Sequence, residues 1–286
     1  MADNLPIIDT LDAIFGSHDV VLCDVWGVIH NGLRAFPEAC AALARARQAG
    51  KIVIMITNAP RPHGDVAAQM AALGVPDGTY DGIVTSGDVT RKLITEGPRH
   101  ILHIGPDRDL SLYDGLDVEL CEEREAAAVV CTGLYDDETE APGDYADMLA
   151  RLRGRNLPFI CANPDIVVER GEALIWCAGA LARDYSQLGG RTLIAGKPHA
   201  PIYEAALDMA ADLAGRPMDR RQVLAIGDGI LTDAKGATDN GISLLYISAG
   251  IHAGEYGPAD RPDHKALAAF LAKHGQKPAA IMPRLR

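Results

Sequence analysis

Short apolar runs rich in β-branched residues alternate along this chain with alanine-rich stretches whose apolar positions recur at helical spacing. That rhythm predicts a parallel sheet covered by helices on both faces, because strands buried on two faces read as unbroken apolar runs. DVVLC ends at Asp24, KIVIMITN ends at Thr57 and Asn58, and DGIVTS covers residues 81–86. Between these strands, FPEACAALARARQAG reads as a helix with Pro37 in its first turn and Gly50 past its end, and HGDVAAQMAALG as the next helix. The rhythm repeats with RHILHIG, AAAVVCTG and LPFICAN as strands, interleaved with the acidic loop LYDDETEAPGD and the helix DYADMLARLRG. Beyond Gly189 and Gly190, TLIAGKP, RQVLAIGDG and SLLYISA read as strands, separated by the helices PIYEAALDMAADLAG and TDAKGATDNG. Gly87-Asp88 starts a helix, with Ser86 or Asp88 near its cap. No internal repeat, low-complexity tract or long linker interrupts the pattern.

Composition narrows the functional classes. A length of 286 residues suits one large or two ordinary domains, and aromatics at 5% imply a helix-rich, aliphatic core. The formal net charge of -12, with Lys and Arg scattered, argues against a nucleic-acid partner and against an anionic membrane surface. A small phosphorylated substrate stays compatible, because a local site can be electropositive inside an acidic protein. The six cysteines show no CxxC spacing, and Cys23, Cys131 and Cys161 lie in apolar runs, which points to a reducing compartment. The N-terminal MADNLPIIDTLDAI lacks a basic-then-apolar signal pattern, and no apolar run reaches membrane-spanning length. A cytoplasmic location is expected.

Chemistry concentrates at strand ends, where open parallel sheets bind ligands. Asp24 follows VVLC, Thr57 and Asn58 follow IVIMI, Lys197 follows LIAG and Asp228 follows VLAIG. A carboxylate directly after a buried strand is poorly solvated unless it is paired or holds a metal. Two carboxylates beside a lysine and a hydroxyl suit a magnesium and phosphoryl site. Taken singly, each is equally consistent with a turn or a helix cap.

Four segments in order, CDVWGVIHNG, ITNAPRP, IAGKPHAPIYEAAL and IGDGILTDAKGA, resemble the signatures of the haloacid dehalogenase superfamily. Their details are similar to its class IIA branch, the NagD-like and 4-nitrophenylphosphatase-like enzymes, with TSGD and CANPD inside the stretch of more than a hundred residues separating Asn58 from Lys197. The resemblance implies an α/β fold: a doubly wound, parallel-sheet (Rossmann-like) core from residues 1–86 and 190–286, with an inserted α/β cap domain over 87–189. It implies Asp24 as nucleophile, forming an aspartyl-enzyme intermediate, and magnesium held by Asp24, Asp228 and the backbone carbonyl of Trp26. Thr57 would donate to the transferring group, Asn58 would shape the turn and border the substrate, and Lys197 would neutralise charge. Asp233 would hold a metal-coordinated water or orient Lys197, unless it is only a helix cap. Gly227 would let the chain approach the metal.

One position departs from the family. Phosphatases of this class have a second Asp where this chain has Trp26, and an indole N–H does not titrate in the working range. Loss of a general acid typically costs about 10² to 10⁴ in rate. Four readings stay open: a phosphate with a good leaving group, acid–base work by another residue such as His30, dehalogenase-like chemistry, or a phosphate-ligand binding or regulatory protein with weakened turnover. Trp26 is expected over the entrance to the metal site, against the leaving group, and the alternative is buried filler. Arg61 and His63 either contact substrate or solvate their loop, and Asn163-Pro164-Asp165 is either a turn or a specificity element. The expected partner is a small, phosphorylated molecule, with a homodimer as an open possibility.

Overall fold

The computed structural model describes residues 5–171 and 173–286. Residues 1–4, which open both the stretch read as lacking a signal segment and the first core segment, lie outside the described residues. Among the described residues, thirteen strands follow in chain order. They are β1 (Val20–Cys23), β2 (Ile52–Thr57), β3 (Gly82–Thr85), β4 (His100–Ile104), β5 (Glu119–Leu120), β6 (Ala128–Cys131) and β7 (Phe159–Cys161). Then come β8 (Val167–Arg170), β9 (Ala173–Trp176), β10 (Thr192–Ile194), β11 (Val223–Gly227), β12 (Ser243–Ile247) and β13 (Ala280–Met282). The α-helices are α1 (Pro37–Gln48), α2 (His63–Ala72), α3 (Ser86–Thr95), α4 (Ala146–Gly154), α5 (Ala178–Gln187), α6 (Ala200–Ala214), α7 (Lys235–Asp239) and α8 (His264–Lys273).

Contacts divide the chain into two units. The first comprises Met1–Thr57, Ala67–Val84 and Tyr203–Arg286; the second comprises Asn58–Val66 and Thr85–Ile202. The first holds a sheet in the order β13-β12-β11-β1-β2-β3, with parallel pairing between β2 and β1, β1 and β11, β11 and β12, and β12 and β13. All residues of β1 and β11 are buried, as expected for central strands covered on both faces. This is the doubly wound, Rossmann-like core that the alternating pattern predicts.

The second unit has its own parallel sheet, β10-β7-β6-β4-β5, and a separate antiparallel hairpin of β8 and β9. Its core joins β6 and β7 to Leu149, Leu152, Leu181 and Tyr185 from α4 and α5. The run read as the first strand after residue 190 is β10, which pairs with β7 in this second sheet. The hairpin, β5, α5, α8 and β13 match none of the runs that the sequence pattern predicts. The hairpin strands are four residues each and mostly half-buried or exposed, so neither an apolar run nor a clean alternation marks them.

Local chemistry sets the element ends. Pro37 opens α1, where its missing N–H costs nothing, and Gly50 follows the helix at φ +81°. The cap of α3 is Thr85, one residue earlier than expected: Thr85 Oγ1 accepts from the Asp88 amide at 2.9 Å and donates to the Asp88 carboxylate at 3.0 Å. Ser86 is instead the first helical residue. The expected aliphatic core also proves incomplete, since Tyr185, Tyr203, Tyr246, Tyr256 and Phe159 are among the largest fully buried side chains. Among the described residues, no helix is long and apolar enough to cross a membrane.

Packing inverts one ordinary helix rule. Gly236 lies in α7, and a Cβ there would collide with the ring and hydroxyl of Tyr203, a fully buried residue of α6. Gly→Ala in an exposed helix stabilises by about 1 kcal/mol. Here Gly236→Ala is expected to destabilise by about 1–3 kcal/mol, measured by urea unfolding, because Tyr203 has nowhere to go.

Candidate functional site

The chain winds from β1 to β3 on one side of the first sheet and from β11 to β13 on the other, so the order reverses between β1 and β11. Ligands of open parallel sheets lie beyond the carboxyl ends of the strands at such a reversal. Register brings the polar strand ends to this point. Val20 pairs with Val223 and Cys23 with Ile226, and the Asp24 amide donates to the Ile226 carbonyl at 2.8 Å. Asp24 is therefore level with Gly227, one residue before Asp228. On the other side Cys23 pairs with Met55, so Thr57 ends β2 just past the level of Asp24.

Asp233 completes the group from the single π turn Ile230–Ala234. Asp24, Asp228 and Asp233 are 7%, 6% and 3% exposed, and one carboxylate oxygen from each lies within 4.8 Å of the others. Each carboxylate is also held by a backbone amide. Val25 N donates to Asp24 Oδ1 at 2.7 Å, Ile251 N to Asp228 Oδ2 at 3.0 Å, and Gly229 N to Asp233 Oδ2 at 3.0 Å.

Glycines make this convergence possible. A Cβ at Gly27, which has φ +79°, or at Gly250 would collide with Asp228 Oδ2, and a Cβ at Gly227 would collide with the Asp233 carboxylate. The role expected for Gly227 thus falls to three glycines. Gly27 and Gly250 escape notice in the sequence because a glycine after an apolar strand ordinarily marks a turn.

Three buried carboxylates this close repel one another unless a proton or a cation intervenes. Their donors are hard oxygens, and two oxygens sharing one magnesium ion stand at most about 4.2 Å apart. The cluster therefore fits a small divalent cation with only slight closure. It is a candidate metal site on donor type, burial and spacing together.

The loop after Asp24 folds on itself. Gly27 N donates to the His30 carbonyl at 2.9 Å, and Ile29 N to the Val25 carbonyl at 2.8 Å. Trp26 is half-buried, and its ring meets His30 edge-on with centroids 4.9 Å apart. His30 is 1% exposed, and its Nδ1 accepts from the Gly32 amide at 3.1 Å. Burial pushes its pKa down to about 4. A neutral imidazole committed in this way braces the loop, keeping its one ring proton on Nε2 and lacking the second proton of an imidazolium acid.

The second unit holds the other expected residues. Lys197 is 2% exposed and follows β10. Its amide donates to Asn58 Oδ1 at 2.8 Å, while Asn58 Nδ2 donates to the Lys197 carbonyl at 3.3 Å and to Asp165 Oδ1 at 2.9 Å. The Asn58 carboxamide thus holds the backbone that carries Lys197. Asp165 belongs to the Asn163-Pro164-Asp165 turn, where Asn163 Oδ1 accepts from the Asp165 amide at 3.2 Å. Arg61 Nε lies 3.6 Å from buried Asp109, whose carboxyl is pushed up by burial against the pull of Arg61 and the Thr132 hydroxyl. Exposed His63 pairs with Asp88 at 3.1 Å.

Comparison with known proteins gives a consistent picture. Residues 21–119 match the haloacid dehalogenase-like hydrolase family, and residues 194–272 a second family described as HAD hydrolase-like. The crystal structure of a haloacid dehalogenase-like hydrolase from Brucella suis is 58% identical with a TM-score of 0.89, covering 98% of this chain and 100% of that one. The ribonucleotide monophosphatase NagD of Escherichia coli is 25% identical over 81% of this chain and 88% of its own length. The D-glycerol 3-phosphate phosphatase of Mycobacterium tuberculosis is 26% identical over 85% of this chain, and the match spans 66% of that protein.

Two measurements probe the site. Magnesium at about 100 times its Kd should stabilise the protein by about 2.7 kcal/mol, raising Tm, and Asp228→Asn should remove most of that shift. His30 has a folded pKa below its unfolded value, so the unfolded chain binds the extra proton and stability falls as pH drops from about 6.5 toward 4. His30→Phe should flatten that part of the pH–stability curve by up to about 3 kcal/mol.

Proposed function

Because the chain belongs to the haloacid dehalogenase-like hydrolases, in their NagD-like class IIA branch, we propose that it is a magnesium-dependent phosphatase of small phosphate monoesters, with Asp24 as nucleophile. The observation that carries this reading is the set of three buried carboxylates within 4.8 Å, two of them directly after central strands. The two named relatives, as their names state, act on ribonucleotide monophosphates and on D-glycerol 3-phosphate, both phosphate monoesters.

In this mechanism Asp24, Asp228, Asp233 and the Trp26 carbonyl would hold the cation. When bound, magnesium supplies positive charge that offsets both the carboxylates and the charge developing on the phosphoryl oxygens. The Asp24 carboxylate attacks phosphorus, forming an aspartyl-phosphate as the P–O bond to the leaving group breaks. Thr57 donates a hydrogen bond to the transferring group, and Lys197 is assigned the cationic role in phosphoryl transfer. Water then cleaves the aspartyl-phosphate and regenerates Asp24. The second unit is the cap of this branch in this reading, and Asn58 keeps the Lys197 backbone in register.

Trp26 narrows the substrate. Its indole cannot protonate a leaving oxygen, and His30 beside it is neutral. Esters whose leaving group departs as a stable anion are therefore favoured, and the flat ring suits an apolar or aromatic one.

A graded series of aryl and alkyl phosphates, with and without magnesium, tests the reading. Wild-type kcat/KM should depend steeply on leaving-group pKa. Asp24→Asn should lower turnover about 10⁴-fold or more. Trp26→Asp should raise turnover of the poorest leaving groups by about 10²-fold and flatten the slope. Equal slopes in wild type and W26D would sink the role given to Trp26. Tight phosphate binding with no turnover of any ester would favour a binding protein that has lost its chemistry.

A further inference from the structure

A cavity of about 440 Å³ opens in the first unit, and none of the three carboxylates lines it. Its walls come from the loop after β1, the start of α1 and the ends of β12 and β13, so it lies along the carboxyl edge of the same sheet. The volume falls within the roughly 300–1,000 Å³ usual for small-molecule sites. Val28, Ile247 and Leu285 are buried in its floor, and Phe36 lends a half-buried ring.

Charge at the rim selects the occupant. Arg284 is engaged by Asp260 at 3.1 Å. Arg34 presents an exposed guanidinium that no described carboxylate neutralises. Glu38 places one negative charge on the same rim, so the lip is mixed rather than uniformly basic. The start of α1 adds partial positive charge, because Phe36 offers no side-chain cap to its first amides. An apolar floor beneath one unpaired guanidinium suits a monoanion with an apolar body.

The cavity also touches the grip on Asp228. Gly27 and Ala249 line it. Gly27 leaves room for Asp228 Oδ2, as does Gly250 beside Ala249, and Ile251 N holds that same oxygen. We infer that this cavity is an effector site for a small aryl or branched-alkyl carboxylate or sulfonate, and that its occupancy is coupled to cation binding at Asp228. Linkage requires reciprocity: whatever factor the anion applies to metal affinity, the metal applies to anion affinity.

The probe is 1-anilinonaphthalene-8-sulfonate, followed by fluorescence on the full chain, so no turnover enters the measurement. The inference and the phosphatase reading can therefore fail separately. Saturable one-site binding is expected, and Arg34→Glu, an exposed change, should weaken it about ten-fold. Arg34 also borders a second groove lined by Cys40, Ala44, Leu73 and Thr79. Ala249 does not border that groove, so Ala249→Leu, with folding checked by circular dichroism, should abolish binding only if the probe occupies the first cavity. Magnesium should shift the wild-type affinity by about five-fold or more and leave Asp228→Asn unchanged. Binding that survives Arg34→Glu overturns the site, whether or not Ala249→Leu folds. Binding that magnesium does not move overturns the coupling. Affinity that falls as protein concentration rises assigns the face to a second copy and overturns the effector reading.

Discussion

Carboxylates lose hydration when they are drawn together out of water, and they also repel one another, so a buried cluster persists only where the surrounding fold compels it. Two features compel it here. Parallel register delivers Asp24 and Asp228 to the same edge at the reversal of strand order. Three glycines then remove the Cβ atoms that would otherwise push the carboxylates apart. Much of the rest of the first unit serves this arrangement, from the fully buried β1 and β11 that fix the register to the π turn that supplies Asp233. Each carboxylate also accepts from a backbone amide, and the hard-oxygen donor set suits a divalent cation.

A similar economy holds in the second unit. Lys197 is a nearly inaccessible cationic side chain, and its main chain is gripped on both sides by one carboxamide, which also binds Asp165. Gly196 contributes as the glycines of the first unit do, since a Cβ there would meet Asn58 Oδ1 and Ser86 Oγ. A buried amide with three hydrogen bonds is costly to replace, because any apolar substitute leaves donors and acceptors of Lys197 unpaired.

The loop between Asp24 and α1 shows how a departure from a family pattern is accommodated. Trp26 brings a large, half-buried ring to the loop that follows Asp24. His30 meets that ring edge-on and surrenders its own titration to burial, its Nδ1 fixed by the Gly32 amide. The loop therefore holds an aromatic surface in a set orientation with no group that ionises near neutral pH.

The strands, the order in which they recur and the polar residues that end them are legible in the amino-acid sequence. Buried parallel strands need continuous apolar runs, and a carboxylate after such a run is conspicuous against it. The family follows from the same four segments, because their chemistry is local to each loop. What tertiary structure alone decided depends on partners far apart in the chain. Gly27 and Gly250 shape a cradle around Asp228, Asn58 holds a backbone 139 residues away, and β10 leaves the core sheet to pair with β7. His30 reads in sequence as a loop histidine that is either an acid or a structural residue, and only the fold shows that burial pushes its pKa down to about 4. Periodicity and strand-end polarity record which residues a segment buries. Register, Cβ clearance and desolvation are properties of pairs, and a pair exists only once the chain has folded.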